Sequence, residues 1–341
     1  MSAPEAPDRT RHKTHAKVVN IKDVAARANV SVGTVSRVLA NNETVGTALR
    51  EKVTEAIREL NFRPSGVARG LRRSRTDMIG LVIPDITNPF FAELAKHVEA
   101  IASRSGFSVL LSITNEDPRI ELNQIESLLK SYPTGLIVVP TQFGASEGWK
   151  SNVATVAVDR RFAGYPLISV DHAAGAGLAA RHLLALGHRR IAYIAGPPEA
   201  PVSRERRNGF VDALAAEGVT PEILEGYFDY ASGETLGRML LDRAPGERPT
   251  AIATASDQQA IGLMRAANDL DLKVPQDISV VGFDDIPLAE LITPRLTTIR
   301  QPVEQIAARA VALTTGTSPL PINDELLEAS LVVRNSTAAR G

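Results

Sequence analysis

No cysteine occurs in the chain, which excludes disulfide bridges and every zinc site built on thiolates and fits a protein of the reducing cytoplasm. Long apolar runs are missing too. None approaches the ~20 residues of a membrane-spanning helix, so no membrane partner is expected. The first 17 residues carry charges and prolines where a secretory leader would need an apolar core, and they read as a disordered basic tail. Short catalytic signatures are also absent: there is no G-x-x-x-x-G-K-[ST], no H-E-x-x-H and no G-x-S-x-G, and the six histidines show no ligand spacing. These absences point away from an enzyme, a metal site or a bound cofactor.

What is present is uneven. With 44% apolar residues over 341 positions, the chain can bury a substantial core in two or three structural units. Its net charge of −1 is a cancellation: residues 1 to 75 hold 15 Lys+Arg against 7 Asp+Glu, while the remainder holds 23 against 32. A basic head on an acidic body points to a polyanionic partner at the N-terminus.

Within that head, the stretch NVSVGTVSRVL, residues 29 to 39, is rich in β-branched and small residues. Val30 and Val32 alternate like a strand, but Val35, Val38 and Leu39 follow the helical period, and Ser31 is a natural N-cap for a helix starting at Val32. Upstream, Ile21, Val24, Ala25 and Ala28 recur at helical spacing behind a cap-like Asn20 and Asp23 pair. Downstream, Leu49, Val53, Ile57 and Leu60 share one face of a segment that opens at Gly46 or Thr47 and closes before Arg63-Pro64. The middle helix is too short, with Gly33 inside it, to stand alone. Its neighbours must hold it, which is the plan of a helix-turn-helix unit whose second helix enters the DNA major groove. The face away from the apolar positions would offer Val32, Gly33, Ser36 and Arg37. Ser31 and Thr34, with the free amides at the helix start, suit phosphates, and Arg37 has the fork that reads guanine.

Past Thr76 the pattern changes to apolar runs alternating with amphipathic helices. Residues 78–84, 107–113, 135–140, 153–159, 191–196, 250–255 and 278–284 read as buried parallel strands of a doubly wound α/β body. Ligands gather at the carboxyl ends of such strands. There the sequence places Asn88, Phe90 and Phe91 after the first strand, Asp159 at the end of the fourth and Asp284 at the end of the seventh. One motif is a decoy: Gly175, Gly177 and Ala179 outline a dinucleotide fingerprint, but the next strand ends in IAGPP without the acidic residue a ribose needs. Small residues here are expected to permit close helix packing.

The segment IKDVAARANVSVGTVSRVLAN resembles the DNA-reading headpiece of the LacI/GalR family of bacterial repressors. SGVARGLRRSRTDMIGLVIPDITNPFF, DHAAGAGLAARHLLALGHRRIAYIAGP, SRERRNGF, ASDQQAIGLM, DISVVGFDDIPLAELITPRLTTIRQP and LVVRNST resemble successive segments of the same family in order. The resemblance covers residues 20 to about 337. It implies a helix-turn-helix headpiece (18–64), a hinge (65–75) and a two-lobed doubly wound parallel-sheet body (76–337) like that of periplasmic sugar-binding proteins. The N-lobe would be 76–168 and 301–320 and the C-lobe 169–299 and 321–337, with crossings near Ile168, Ile299 and Pro321. It further implies that the glycine-bearing connector becomes a hinge helix on operator DNA, Leu71 entering the minor groove while Arg69, Arg72 and Arg73 face phosphates.

Matched position by position, the resemblance adds Arg206, Phe228, Ser256 and Gln301 to the ligand site, a polar set with aromatic faces suited to a sugar. Ser256 departs from the amide or carboxylate common at that position, and residues 141–153 are brief where relatives carry a full helix. The expected partners are double-stranded operator DNA, a sugar-like effector and a second copy of the chain. The homodimer would form through the helix after Asn88 and the segment from Gln301 to Leu313; the chain ends soon after LVVRNST, leaving no added heptad helix for a tetramer. The rival reading is a sugar-binding receptor or transporter component with an incidental basic head.

Overall fold

The computed structural model describes residues 19–39, 42, 44–62, 76–141, 148–321 and 323–340. Two compact units divide between Arg73 and Ser74. The basic tail and the hinge, with Arg69, Leu71, Arg72 and Arg73, lie outside the described residues.

In the first unit, α1 (Ile21–Ala28) begins in a capping box. Asn20 Oδ1 accepts from the amides of Lys22 and Asp23, and the Asp23 carboxylate accepts from Asn20 N at 2.8 Å. α2 (Val32–Leu39) follows, with Ser31 Oγ accepting from Thr34 N at 3.1 Å as the expected cap. α3 (Thr47–Glu59) starts from Gly46 without a side-chain cap. Val35 and Val38 of α2 are buried against Val24, Ala25, Val53 and Ala56. Burying each valine contributes roughly 1.5 kcal/mol or more, which exceeds the cost of about 1 kcal/mol for Gly33 in a helix. Packing, not propensity, makes α2 a helix.

The second unit holds two six-stranded sheets. Its elements in chain order are β1 (Met78–Ile83), α4 (Pro89–Arg104), β2 (Ser108–Ile113), α5 (Pro118–Leu129), β3 (Gly135–Val138), β4 (Ala154–Val158), β5 (Leu167–Val170), α6 (His172–Ala185), β6 (Ile191–Ala195), α7 (Pro201–Ala215), β7 (Glu222–Glu225), α8 (Tyr230–Leu241), β8 (Ala251–Thr254), α9 (Asp257–Asp269), β9 (Ser279–Asp284), α10 (Leu288–Leu291), β10 (Thr297–Arg300), α11 (Val303–Thr315), β11 (Glu325–Leu327) and β12 (Ser330–Val332). The N-lobe sheet runs β11-β5-β4-β3-β1-β2 and the C-lobe sheet β12-β10-β9-β8-β6-β7. Every pairing is parallel except β10 with β12. Apolar layers cover both faces of each sheet, which is why the central strands read as unbroken apolar runs.

The chain crosses between lobes after β5, after β10 and between β11 and β12. The last crossing corrects the sequence expectation. Glu325–Leu327 still pairs in the N-lobe sheet, opposite Ile168, Ser169 and Val170, and Glu325 is tied to Arg309 of α11 at 2.7 Å. Passage to the C-lobe therefore falls at Glu328 and Ala329 rather than near Pro321, and residues 323–327 belong to the N-lobe. The glycines of the decoy motif lie inside α6, where the helix meets α7 closely: a Cβ on Gly209 would sit 2.1 Å from the Ala173 carbonyl oxygen.

Candidate functional site

Strand ends from both sheets converge between the lobes. From the N-lobe, Asn88 caps α4, its Oδ1 accepting from Phe90 N at 3.0 Å. Phe90 and Phe91 follow, buried and packed edge to face at 5.3 Å. Asp159 leaves β4 with φ 66°, and across the cleft Asp284 ends β9 with φ 118°. Such left-handed backbone costs a non-glycine residue on the order of 1–3 kcal/mol and persists only where the surroundings over-determine it. Its presence at the two cleft aspartates marks a site whose side-chain directions outrank local comfort.

A buried polar chain links the lobes. His172, at the start of α6, sits 3.4 Å from Asp159 Oδ1 and 3.2 Å from Ser169 Oγ through Nε2. Its Nδ1 accepts from Arg206 Nε at 3.2 Å. A guanidinium only donates, so Nδ1 is the accepting nitrogen and Nε2 is the one that faces Ser169 and Asp159. Arg206 also donates to the Ala255 carbonyl at 2.6 Å and contacts Asp284 Oδ1 at 3.4 Å, and Gln301 Nε2 donates to the same Asp284 oxygen at 2.7 Å. The guanidinium lies 3.9 Å from the Phe283 ring centre and 5.8 Å from that of Phe228, a cation–π arrangement that compensates its burial. Gly196 lets Phe228 reach this position, since a Cβ there would lie 2.3 Å from the ring.

The two aspartates titrate in opposite directions. Burial alone would raise the Asp159 carboxyl, but the His172 contact and the Arg160 and Arg206 charges outweigh it and hold it at about 2. Burial pushes Asp284 up to about 6, with Arg206 and Gln301 offsetting only part and the charge of Asp159 adding to the rise. Behind them, Asp257 is wholly buried and raised well above the carboxylate range, by burial first and by Asp284 next. It accepts from Thr298 Oγ1 at 2.5 Å and Ile286 N at 2.9 Å, tying β10 to the loop that carries Asp284.

Eight of the nine expected ligand residues line one cavity of about 20 Å³: Asn88, Phe90, Phe91, Asp159, Arg206, Phe228, Ser256 and Asp284. The ninth, Gln301, stands behind Asp284. Ser256 spends its hydroxyl capping α9, where Oγ accepts from Gln259 N at 3.2 Å. Sequence reasoning missed three residues. Arg160 and Val202 line the cavity, and His172 orients two of its charged groups. Arg160 follows Asp159 directly, so the strand-end argument reached one residue short of it. Arg160 donates to the Pro140 carbonyl at 2.9 Å and pairs with Glu116 at 3.1 Å.

On the headpiece, Ser31, Gly33 and Arg37 are exposed, Thr34 and Ser36 half-buried. Ser31 Oγ and Thr34 Oγ1 lie 3.0 Å apart, and Arg37 Nε donates back to the Gly33 carbonyl at 3.3 Å. Val32 is half-buried against the headpiece core, at the edge of the face expected for it. Among the described residues, no cluster of His, Asp and Glu could hold a metal, and no helix is long and apolar enough to cross a membrane.

Residues 20–65 match the model for bacterial regulatory proteins of the lacI family, and residues 180–337 match a periplasmic binding protein-like domain. The chain is 37% identical over 324 residues to the ribose operon repressor of Halalkalibacterium halodurans, covering 94% of this chain and 97% of the relative. It is 32% identical to the transcriptional repressor CytR of Escherichia coli, covering 96% and 98% of the two chains. A crystal structure of the lac repressor dimer bound to operator and the anti-inducer ONPF superposes with a TM-score of 0.83 at 31% identity, covering 95% of this chain and all of that one. At this identity over nearly the whole length, with the headpiece and both lobes matched together, the chain belongs to the LacI family of bacterial regulatory proteins.

Proposed function

We propose that the chain is a sequence-specific DNA-binding transcriptional repressor whose operator affinity is set by a sugar-like molecule held between the lobes. The observation that carries this reading is the convergence of eight independently placed side chains, from strand ends, loops and helices of both lobes, on one cavity. Carboxylates, an amide and an arginine there match sugar hydroxyls, and three phenylalanine rings offer stacking faces. The lac repressor solved with operator and anti-inducer supports the same division of labour.

In this reading, α2 enters the major groove of cytoplasmic operator DNA. Ser31, Thr34 and the free amides at the start of α2 hold phosphates, and Arg37 releases the Gly33 carbonyl to grip guanine. A homodimer presents two such helices to a near-palindromic site. Ligand binding rearranges the Asp159–His172–Arg206–Asp284 chain, which spans both lobes, and the change in lobe geometry reaches the hinge residues Arg69 and Leu71. Coupling of about 1–3 kcal/mol is typical between such sites. The test is selection of duplexes from a random pool by the full-length protein, followed by gel-shift titration with and without sugars. A preferred near-palindromic duplex whose affinity responds to one sugar is the expected result. Equal affinity for every duplex, whatever the sugar, would refute it.

A further inference from the structure

α5 (Pro118–Leu129) runs along the N-lobe sheet for 12 residues, about 18 Å, and its two ends are tied to different parts of the molecule. One end reaches the wall of the cavity. The other holds Thr76, the first residue after the hinge segment expected at 65–75.

At the cavity end the tie is a buried carboxylate. Glu121 is 1% exposed, and its Oε2 accepts from the Thr141 amide, just past β3, at 2.5 Å. The carbonyl on the other side of that peptide, Pro140 O, accepts from Arg160 at 2.9 Å, and Arg160 also pairs at 3.1 Å with Glu116, just ahead of α5. Arg160 lines the cavity. The peptide between Pro140 and Thr141 is therefore gripped on its oxygen by a cavity residue and on its nitrogen by α5. Burial raises the Glu121 carboxyl, and the Thr141 amide and hydroxyl offset part of the rise. Packing alone would be served better by an apolar side chain, so the carboxylate marks a tie rather than a filler.

At the hinge end the ties converge on Thr76. The turn that closes α5 is tight, with the amides of Ser131 and Tyr132 donating to Leu128 O and Leu129 O at 3.0 Å. Thr76 N donates to Tyr132 O at 2.9 Å, Thr76 Oγ1 donates to the Tyr132 and Ser131 carbonyls at 2.9 and 3.3 Å, and Thr134 Oγ1 donates to Thr76 O at 2.5 Å. Tyr132 has φ 51°, a left-handed conformation that these bonds hold against its cost.

Between the two ends, Glu121, Ile125 and Leu128 form one buried stripe against the sheet. The fit is close at Gly80 of β1, where a Cβ would lie 3.3 Å from Leu128 Cδ1, and Gln124 accepts from Ser112 of β2 at 3.2 Å. A helix seated this way moves as a body, because shifting one end alone would break its own hydrogen-bond ladder or this packing.

We propose that α5 is a relay between the cavity wall and the root of the hinge, with Glu121 as the positioning residue that fixes its cavity end. Displacement of Arg160 or of the Pro140–Thr141 peptide pulls on Glu121, and α5 carries the shift to the turn that holds Thr76. The repressor reading enters only through the operator; the coupling of the two ends belongs to the body itself.

A double-substitution cycle in the full-length protein tests the relay, read as affinity for the operator duplex selected from the random pool. E121M keeps the length of the side chain and removes the acceptor; T134V removes the bond to Thr76 with little change in volume. Sites this far apart combine to within about twofold when they are independent. E121M should weaken operator binding about fivefold or more in the unsubstituted chain but by less than about twofold in T134V, where the hinge end is already released. E121Q, which keeps an acceptor for the Thr141 amide, should stay within about twofold of the original. Amide exchange without DNA gives a second measurement: T134V should speed exchange of the Thr141 amide about threefold or more, since coupling is reciprocal. Equal factors for E121M in the two backgrounds, no effect of E121M on the operator, or a Thr141 amide as protected in T134V as in the original chain would each overturn the relay. If the unsubstituted protein prefers no duplex, the repressor reading falls and the Thr141 amide alone decides the relay, as it does if E121M fails to fold.

Discussion

Asp284 provides a proton-linked test of the ligand site. Its carboxyl stands at about 6 because burial outweighs Arg206 and Gln301, whereas Asp159 across the cavity stands at about 2. Between pH 5 and 7 only Asp284 of this pair changes charge. A sugar hydroxyl that donates to Asp284 needs the ionised form, which makes up roughly one-tenth of the population at pH 5 and nine-tenths at pH 7, so affinity should rise about tenfold over that interval. Folding stability should move the other way. The Asp284 pKa is raised above its ordinary 3.8, so its contribution is complete below pH 4 and is lost as pH rises through 6, about 3 kcal/mol in all. The depressed Asp159 contributes above its ordinary value and loses this only as pH falls toward 2. Calorimetric titration with the tightest-binding sugar at several pH values, paired with thermal melts of the protein alone, measures both trends. D284N should bind weakly and show a flat profile over the same range. A flat profile in the unsubstituted protein, or the same slope in D284N, would refute the assignment of Asp284 as the ligand-facing carboxylate.

R37A should flatten the preference for operator over random DNA by about 1–3 kcal/mol, read by competition gel shift; equal loss on both duplexes would mean that Arg37 touches phosphate alone. V38A removes two buried methyl groups from the headpiece core and should cost about 1–3 kcal/mol, abolishing operator binding while sugar titrations of the same protein stay unchanged. G209A drives a methyl against the Ala173 carbonyl, and the forced separation of α6 from α7 should destabilise the body by roughly 1–3 kcal/mol in denaturant melts. G70A should favour an ordered hinge by up to about 1 kcal/mol and raise the sugar concentration needed to release operator, which a gel-shift titration of both proteins would show.

The parts of the fold legible in the sequence were those decided locally. The central strands announced themselves because each is buried on both faces, and Asp159 and Asp284 stood out as charges ending apolar runs. α2 was legible for the opposite reason: its own propensity is poor, so only the apolar spacing of Val35 and Val38 and the presence of two flanking helices could make it one. What escaped was decided by distant partners. β11 and β12 are three residues each, and their periodicity says nothing about which sheet they join. That choice is made by β5, by β10 and by the Arg309–Glu325 pair, none of which the sequence around Pro321 announces. His172 escaped in the same way, since a histidine opening a helix is unremarked until folding brings Asp159 to one nitrogen and Arg206 to the other. A residue with little signal in the sequence thus becomes a polar link between the two lobes. Any ligand that displaces either partner of this imidazole must alter both at once, because one ring cannot reorient toward a single neighbour without abandoning the other.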